Sequence, residues 1–253
     1  PIVLSKREND YAVSFETCAF SNLGFEVEKY IGPGEILSIS SEGYRQLRKP
    51  NDKMQICSFL WVYYGYPPSS YEGINVDECR YRCGAVMASK DKVEADFVAG
   101  IPDSGYGYAI GYSNAKHVPI KRAYAKYTPT WPRSFMPQNQ EVRKIVAKMK
   151  LIPNEDIIKD KVGVFFDDSI VRGTQLTDNV KKLRQSGIKG VHMKIACPPL
   201  THPCEFLNFS RSRSNFDMAT YRAVRELENS EEFDMERYSD HNTEEYRNIV
   251  EVI

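Results

Sequence analysis

The feature that most constrains the fold is an apolar run that ends in two adjacent aspartates. Residues 162–166 (VGVFF) lead into Asp167 and Asp168, then into a short loop of small and hydroxylic residues and an amphipathic segment around Val180. This order predicts a buried strand, a tight loop and a helix. Unpaired amides and the dipole at a helix N-terminus favour anions. The loop is therefore predicted to bind a phosphate group.

The two aspartates indicate what else the ligand carries. Carboxylates would repel a bare phosphate, but they accept hydrogen bonds from sugar hydroxyls and supply the oxygen ligands that Mg²⁺ prefers. Sugar, phosphate and Mg²⁺ together predict a ribose-phosphate substrate. Paired aspartates in front of a helix are also common as simple caps, and on their own they would favour that structural role.

Composition narrows the class of protein. Of 253 residues, 42% are hydrophobic and 27% charged, so a substantial core is expected. The 34 basic and 34 acidic side chains balance, which argues against a chain-wide nucleic-acid surface. There is neither an apolar run of about 18 residues nor a signal-peptide layout, so we expect no membrane span and a cytoplasmic protein. The six cysteines are scattered without a CxxC pair, as is typical of free thiols in a reducing compartment.

Strand-like and helix-like segments alternate through most of the chain. Strands are predicted at 57–64, 97–101, 120–125, 162–166 and 191–197, and helices at 76–87, 106–116, 138–150 and 174–186. The 76–87 helix is expected to bury Val76, Cys79, Cys83 and Val86. Such alternation predicts a parallel sheet with crossover helices, whose ligands bind beyond the carboxyl ends of the strands. Residues 1–46 show only short strands and turns, and the tail after Leu227 is acidic and polar.

The octet 167–174 (DDSIVRGT) resembles the phosphoribosyl pyrophosphate (PRPP) motif of type I phosphoribosyltransferases. Its SIVRGT form is particular to the amidophosphoribosyltransferases. Other segments resemble further parts of that family: 100–105 (GIPDSG) its pyrophosphate loop, 133–140 its catalytic loop, 198–204 the segment after the last core strand, and 5–8 and 16–19 the end of its glutaminase domain.

The resemblance implies a fold and an activity. Residues 1–46 would be the C-terminal remnant of an Ntn glutaminase-like domain, and residues 47–253 a phosphoribosyltransferase domain with a parallel sheet flanked by helices. The activity would be transfer of an amino group to C1 of PRPP, giving phosphoribosylamine and pyrophosphate. This is the first step of de novo purine biosynthesis, with ammonia taken from glutamine in the full-length enzyme. A homo-oligomer is also implied.

The chain departs from the family pattern at its start. Family members begin with a cysteine that acts as the glutaminase nucleophile, whereas this chain begins with Pro1. We therefore expect a fragment that lacks the glutaminase site and uses free ammonia. The loop at 126–133 is also longer and richer in proline than the common family pattern.

The resemblance assigns roles to particular residues. The 5-phosphate is expected at loop amides and hydroxyls, those of Ser169, Ile170, Val171, Arg172, Gly173 and Thr174. Ribose hydroxyls are expected at Asp167 and Asp168, directly or through Mg²⁺, and Mg²⁺ is expected at Asp167, Asp168 and Ser104. Pyrophosphate is expected at Asp103, Ser104 and Gly105. Arg133 and Lys126 are expected to counter the charge of the leaving group in catalysis, although both are also consistent with solvated surface charges.

Some family members carry a 4Fe–4S cluster on four cysteines. Two of the ligands match Cys57 and Cys204, and the other two belong to a C-terminal CxxC-like pair that this sequence does not contain. A cluster is therefore expected only in a full-length protein.

Three other functions are consistent with the sequence. A purine-salvage phosphoribosyltransferase would use a base in place of ammonia, and would be marked by a base-binding hood. A PRPP-sensing domain would keep the octet without catalysis. The chain would also be inert if it needs a glutaminase partner in order to function.

Overall fold

The computed structural model describes residues 1–126, 151–206 and 214–253. Its strands are β1 (Ile2–Arg7), β2 (Asp10–Ser14), β3 (Glu26–Ile31), β4 (Ile36–Ser40), β5 (Gly43–Arg48), β6 (Ser70–Tyr71), β7 (Ile74–Asn75), β8 (Phe97–Gly100), β9 (Tyr124–Lys126), β10 (Leu151–Pro153), β11 (Val162–Asp167) and β12 (Gly190–Ile195). Its α-helices are α1 (Cys18–Ser21), α2 (Val76–Lys90), α3 (Gly105–Lys116), α4 (Glu155–Ile158), α5 (Thr174–Gln185), α6 (Ala219–Glu228) and α7 (Glu244–Val252). The other helices are a π-helix (Leu60–Tyr64) and two 3₁₀ helices (Asn215–Asp217 and Met235–Tyr238).

Three parallel strands form the sheet that the sequence predicts. Within the described residues their order is β12-β11-β8, and β11 pairs with both neighbours. Alternate residues of β11 point to opposite faces, so Phe165 packs with Leu183 of α5 while Val164 and Phe166 pack with Tyr112 of α3. Because helices cover both faces, the strand reads as a continuous apolar run. The α/β prediction is confirmed.

The predicted strand at 120–125 is partly wrong. Ile120 makes only an isolated parallel bridge to Val98, and the chain then forms β9, which pairs antiparallel with β10. Tyr124 is fully buried, and its hydroxyl donates to the Asn179 carbonyl of α5 (2.9 Å). The strand therefore begins where this aromatic side chain is anchored against α5.

The predicted buried stripe of α2 is partly wrong. Val76 is buried and Cys83 packs against the core, but Val86 is 56% exposed, and the buried positions follow an i, i+4 series: Val76, Arg80, Gly84 and Ala88. A Cβ on Gly84 would lie 2.0 Å from the Tyr108 carbonyl oxygen of α3. The two helices cross so closely that small residues, rather than the most apolar ones, form the contact.

The predicted strand at 57–64 is also wrong, because residues 60–64 form a π-helix. Buried Arg80 accounts for this shape: its guanidinium donates to the carbonyls of Trp61 (2.7 Å), Tyr63 (3.2 Å) and Gly65 (3.0 Å). A side chain from α2 thus satisfies carbonyls that a strand would have offered to a neighbouring strand.

The N-terminal residues form an antiparallel sheet of order β2-β1-β3 and a β4-β5 hairpin. Hydrogen bonds join this part to residues 69–71, including one from the Ser70 amide to Thr17 Oγ1 (2.7 Å) and one from the Tyr71 hydroxyl to Glu16 (2.8 Å). The domain boundary at residue 46 stays a prediction, and β5 continues to Arg48.

The acidic tail folds onto α6. Ile249 of α7 is fully buried in a cluster with Ala223, Val224, Met235 and Tyr238. The predicted helix at 138–150 and the loop that contains Arg133 lie outside the described residues. No helix in the described part of the chain has the length and apolar character needed to cross a membrane.

Candidate functional site

The sheet brings the two predicted ligand loops to one edge. Gly100, the last residue of β8, lies opposite Phe166 of β11, and the Ile101 amide donates to the Phe166 carbonyl (2.8 Å). Because the strands are parallel, the loops that leave them, residues 101–104 and 168–173, emerge side by side.

Gly105 allows the first loop to lie directly against β11. A Cβ at this position would lie 2.2 Å from the Phe166 carbonyl oxygen, and a Cβ on Gly100 would lie 2.7 Å from the Gly105 carbonyl carbon. The peptide bond between Pro102 and Asp103 is cis. Close backbone approach therefore requires glycine at both ends of this loop.

Asp168 joins the two loops. Its Oδ2 accepts a hydrogen bond from the Ser104 hydroxyl (2.5 Å) and its Oδ1 one from the Ser169 hydroxyl (2.6 Å). The residue is only 7% exposed. A buried carboxylate with a hydroxyl donor on each oxygen has a fixed orientation.

Asp167 lies in a different environment. Its Oδ1 accepts a hydrogen bond from the Asp168 amide (2.9 Å). Burial, and secondarily the neighbouring Asp168 carboxylate, raise the pKa of Asp167 to about 7. A group whose charged form is disfavoured in this way gains most from a cation or a hydroxyl donor supplied by a ligand.

This shift predicts a pH-dependent gain in stability for Asp167→Asn. The folded protein holds a proton on Asp167 that the unfolded chain releases near pH 4, so wild-type stability falls as the pH rises from about 4 to about 7. Asparagine does not ionise and so removes the free-energy cost of a charged carboxylate at this buried position. We expect the variant to be more stable than wild type by about 1–3 kcal/mol at pH 8. Urea unfolding at pH 8 and pH 4 measures the difference, which should disappear at pH 4. An equal gain at both pH values would contradict the assignment.

A cavity of about 620 Å³ opens beside the second loop. Its walls are Tyr63 and the continuous run of residues 167–176. Gly173, with φ of +73°, allows the chain to turn from the loop into α5. The volume lies in the range typical of small-molecule sites.

Two predicted site residues form an ion pair. Lys126 Nζ, at the end of β9, lies 2.6 Å from Asp103 Oδ2 in the first loop. Both side chains are largely exposed, at 43% and 69%. Asp103, Ser104 and Gly105 do not line the cavity, and Ser104 reaches its wall through Asp168.

Comparisons with known proteins agree with this geometry. The amidophosphoribosyltransferase of Bacillus subtilis (strain 168) is 36% identical over 228 residues, which are 90% of this chain and 48% of that protein. The amidophosphoribosyltransferase of Rattus norvegicus is 36% identical over 204 residues, 79% of this chain and 39% of that protein. This chain is a homologue of the amidophosphoribosyltransferases.

A solved structure supports the same relationship. The glutamine PRPP amidotransferase from B. subtilis, complexed with ADP and GMP, is 38% identical with a TM-score of 0.73, and the match covers 81% of this chain and 45% of that one. The type I phosphoribosyltransferase fold is therefore confirmed. No family model matches the sequence. The chain spans under half the length of these amidophosphoribosyltransferases.

The donor set fits Mg²⁺ held jointly with a substrate. Asp167 and Asp168 supply carboxylate oxygens and Ser104 a hydroxyl, all at one edge of the sheet. Among the described residues, no group of three or more histidine, cysteine or acidic side chains is placed to hold a metal ion alone. Mg²⁺ usually binds through one or two carboxylates together with waters and substrate phosphates, so this arrangement suits it.

The cysteines predicted to bind a cluster in full-length relatives lie in different environments. Cys57 is exposed and Cys204 is half-buried, and neither forms a disulfide within the described residues. The 4Fe–4S cluster stays a prediction about a longer protein.

Sequence reasoning missed Tyr63 as a wall of the cavity. The aromatic run at 60–64 indicated a strand, and the turn that carries Tyr63 to the second loop (168–173) depends on Arg80, which is distant in sequence. The predicted catalytic Arg133 lies outside the described residues.

Proposed function

We propose that this chain binds PRPP and transfers ammonia to its C1, giving phosphoribosylamine and pyrophosphate, as the phosphoribosyltransferase half of an amidophosphoribosyltransferase. The observation that carries the proposal is the Ser104–Asp168 hydrogen bond, which joins the two loops at the mouth of β11. In a full-length enzyme glutamine would supply the ammonia, and the reaction would open de novo purine biosynthesis. The homo-oligomer and the cytoplasmic location stay predictions.

Each end of PRPP has a matching part of the site. The 5-phosphate fits the amides of residues 170–174 and the hydroxyl of Thr174, at the N-terminus of α5. The Ser169 hydroxyl, which donates to Asp168 (2.6 Å), would have to exchange that bond for one to the phosphate when the ligand binds. Asp167 and Asp168 lie where ribose hydroxyls need acceptors. Pyrophosphate is assigned to Asp103, Ser104 and Gly105, at the end of the first loop. Bound Mg²⁺ would neutralise part of the phosphate charge there.

The chemistry requires little from acid–base groups. The lone pair of ammonia forms the C1–N bond while the C1–O bond to pyrophosphate breaks, and the new ammonium group then loses a proton. Positive charge develops on the ribose ring, where the carboxylates of Asp167 and Asp168 stabilise it electrostatically. Lys126, now paired with Asp103, is positioned to bind the departing pyrophosphate. Positioning and electrostatics thus supply the catalysis.

The proposal is tested by measuring pyrophosphate release from PRPP and Mg²⁺ with and without ammonium chloride at pH 8. We expect release that depends on ammonia and rises with its concentration. Release that requires a purine base would instead indicate a salvage enzyme, and PRPP binding without turnover would indicate a sensing domain. The similarity to amidophosphoribosyltransferases does not favour either alternative.

A further inference from the structure

The carbonyl groups of the phosphate loop are held from outside the sheet. The Val171 carbonyl accepts a hydrogen bond from the Ala219 amide (2.8 Å), and the Arg172 carbonyl accepts one from the Arg222 guanidinium (2.5 Å). Both donors belong to the first turns of α6, some fifty residues further along the chain. The C-terminal region therefore contacts the loop that is proposed to bind phosphate.

Arg222 is itself fixed in place. Its Nη1 donates to the carbonyls of Phe216 (3.1 Å) and Asp217 (2.8 Å), in the 3₁₀ turn before α6, while Nη2 donates to Arg172. The helix is anchored nearby by Thr220, whose hydroxyl donates to the Leu200 carbonyl (2.7 Å). The planar guanidinium thus bridges a rigid turn and the loop, and arginine is suited to this because its donors lie in a fixed fork.

Holding these carbonyls also orients the amides of the loop. In a trans peptide unit the C=O and the N–H point in opposite directions within one plane. A Val171 carbonyl that faces α6 therefore turns the Arg172 amide away from α6, and an Arg172 carbonyl that faces Arg222 does the same to the Gly173 amide. Arg172 and Gly173 line the cavity, whereas Arg222 does not.

We propose that Arg222 is a positioning residue for the 5-phosphate: it holds the Arg172–Gly173 peptide with its amide directed to the ligand. This role rests on the proposed function. Gly173 adopts a φ of +73°, in a region where glycine is conformationally permissive, so a peptide without these hydrogen bonds would rotate readily. Fixing it before the ligand arrives removes an ordering cost from binding.

The test compares Arg222→Met with wild type by calorimetry, using ribose 5-phosphate and inorganic pyrophosphate as separate probes. Ribose 5-phosphate should bind Arg222→Met about tenfold more weakly, because the loop must be ordered on binding. Pyrophosphate, which is assigned to the Asp103–Gly105 loop, should bind within about twofold of wild type. General damage to the fold would weaken both.

Arg225→Met is the matched control. Arg225 lies on the same helix and carries the same charge, but it stacks on Phe216 at 5.3 Å and pairs with Glu231 at 3.6 Å. If Arg222→Met and Arg225→Met weaken ribose 5-phosphate binding equally, the loss of a positive charge at a distance explains the effect. That result would overturn the role of Arg222. Unchanged ribose 5-phosphate affinity in Arg222→Met would overturn it as well.

The same experiment separates this role from the proposed function. Wild type that binds neither ribose 5-phosphate nor pyrophosphate would overturn the proposed function and with it the role of Arg222. Normal wild-type binding with an unaffected Arg222→Met would overturn the role alone. If Arg222→Met does not fold, Arg222→Lys serves in its place, because lysine keeps the charge without the forked donors. Arg222→Lys should show the same selective loss of ribose 5-phosphate affinity. Wild-type affinity in that variant would count against the proposal.

Discussion

Asp168→Asn is expected to lower kcat/KM for PRPP by about 100-fold or more. The carboxylate accepts hydrogen bonds from the hydroxyls of both Ser104 and Ser169, and it adds negative charge at the proposed ribose site. An amide keeps one acceptor oxygen but places an NH₂ donor against the other hydroxyl, so one of the two bonds must break or reverse. The loops would lose their connection and the ribose site one of its charges. Initial rates of ammonia-dependent pyrophosphate release, measured over a range of PRPP concentrations, provide the comparison.

Asp178→Asn controls for the change of charge. Asp178 is exposed on α5, a short distance past the loop at 168–173. The substitution removes the same charge there, whereas the Ser104 and Ser169 hydroxyls donate to Asp168. Asp178→Asn should keep kcat/KM within about twofold of wild type. Wild-type activity in Asp168→Asn, with normal folding by circular dichroism, would show that the bridge between the loops is not needed for catalysis.

Gly105→Ala is expected to remove PRPP binding and to destabilise the protein by about 2–4 kcal/mol. The added Cβ would lie 2.2 Å from the Phe166 carbonyl oxygen, a backbone atom that is held in the centre of the sheet. The first loop would therefore have to move away from β11, and Ser104 would move away from Asp168. A displacement of about 1 Å in a positioning loop commonly costs a factor of about 100 in rate. Thermal unfolding and PRPP calorimetry on the same preparation measure both effects.

Gly190→Ala is the matched control for this substitution. Gly190 begins β12 at the opposite end of the sheet, and the nearest atoms to a Cβ there would be the side-chain methyls of Val162 at 3.2 Å. Those methyls can shift, so we expect a small loss of stability and unchanged PRPP affinity. Equal behaviour of the two variants would show that the contact of Gly105 with Phe166 has no special importance.

The parallel core and the octet were predictable because their signals are local. A continuous apolar run, an acidic pair and a loop before a helix occupy neighbouring positions in sequence, so residues 162–174 indicated β11, its loop and α5 directly. Asn75 stands directly before α2 and is of a residue type favoured at helix N-caps, and its side chain accepts a hydrogen bond from the Glu78 amide (2.9 Å). Parallel neighbours then place Asp103 and Asp168 at one edge, as the alternation of strands and helices implied.

The errors arose where contacts distant in sequence override local pattern. Apolar spacing predicted that α2 would bury Val86, but the close crossing with α3 selects Gly84 instead. Residues 60–64 carry the aromatic composition of a strand and form a π-helix, because Arg80 binds their carbonyls from another helix.

By itself, the sequence determined the elements around β11 and the residue types at their ends, because backbone propensity and side-chain type act over a few residues. Tertiary structure decided which of those groups meet: Ser104 with Asp168, Lys126 with Asp103, and Arg222 with the phosphate loop. Such pairs depend on strand order and helix crossing, which are set by burial and close packing of the whole chain and leave no periodic signal along it.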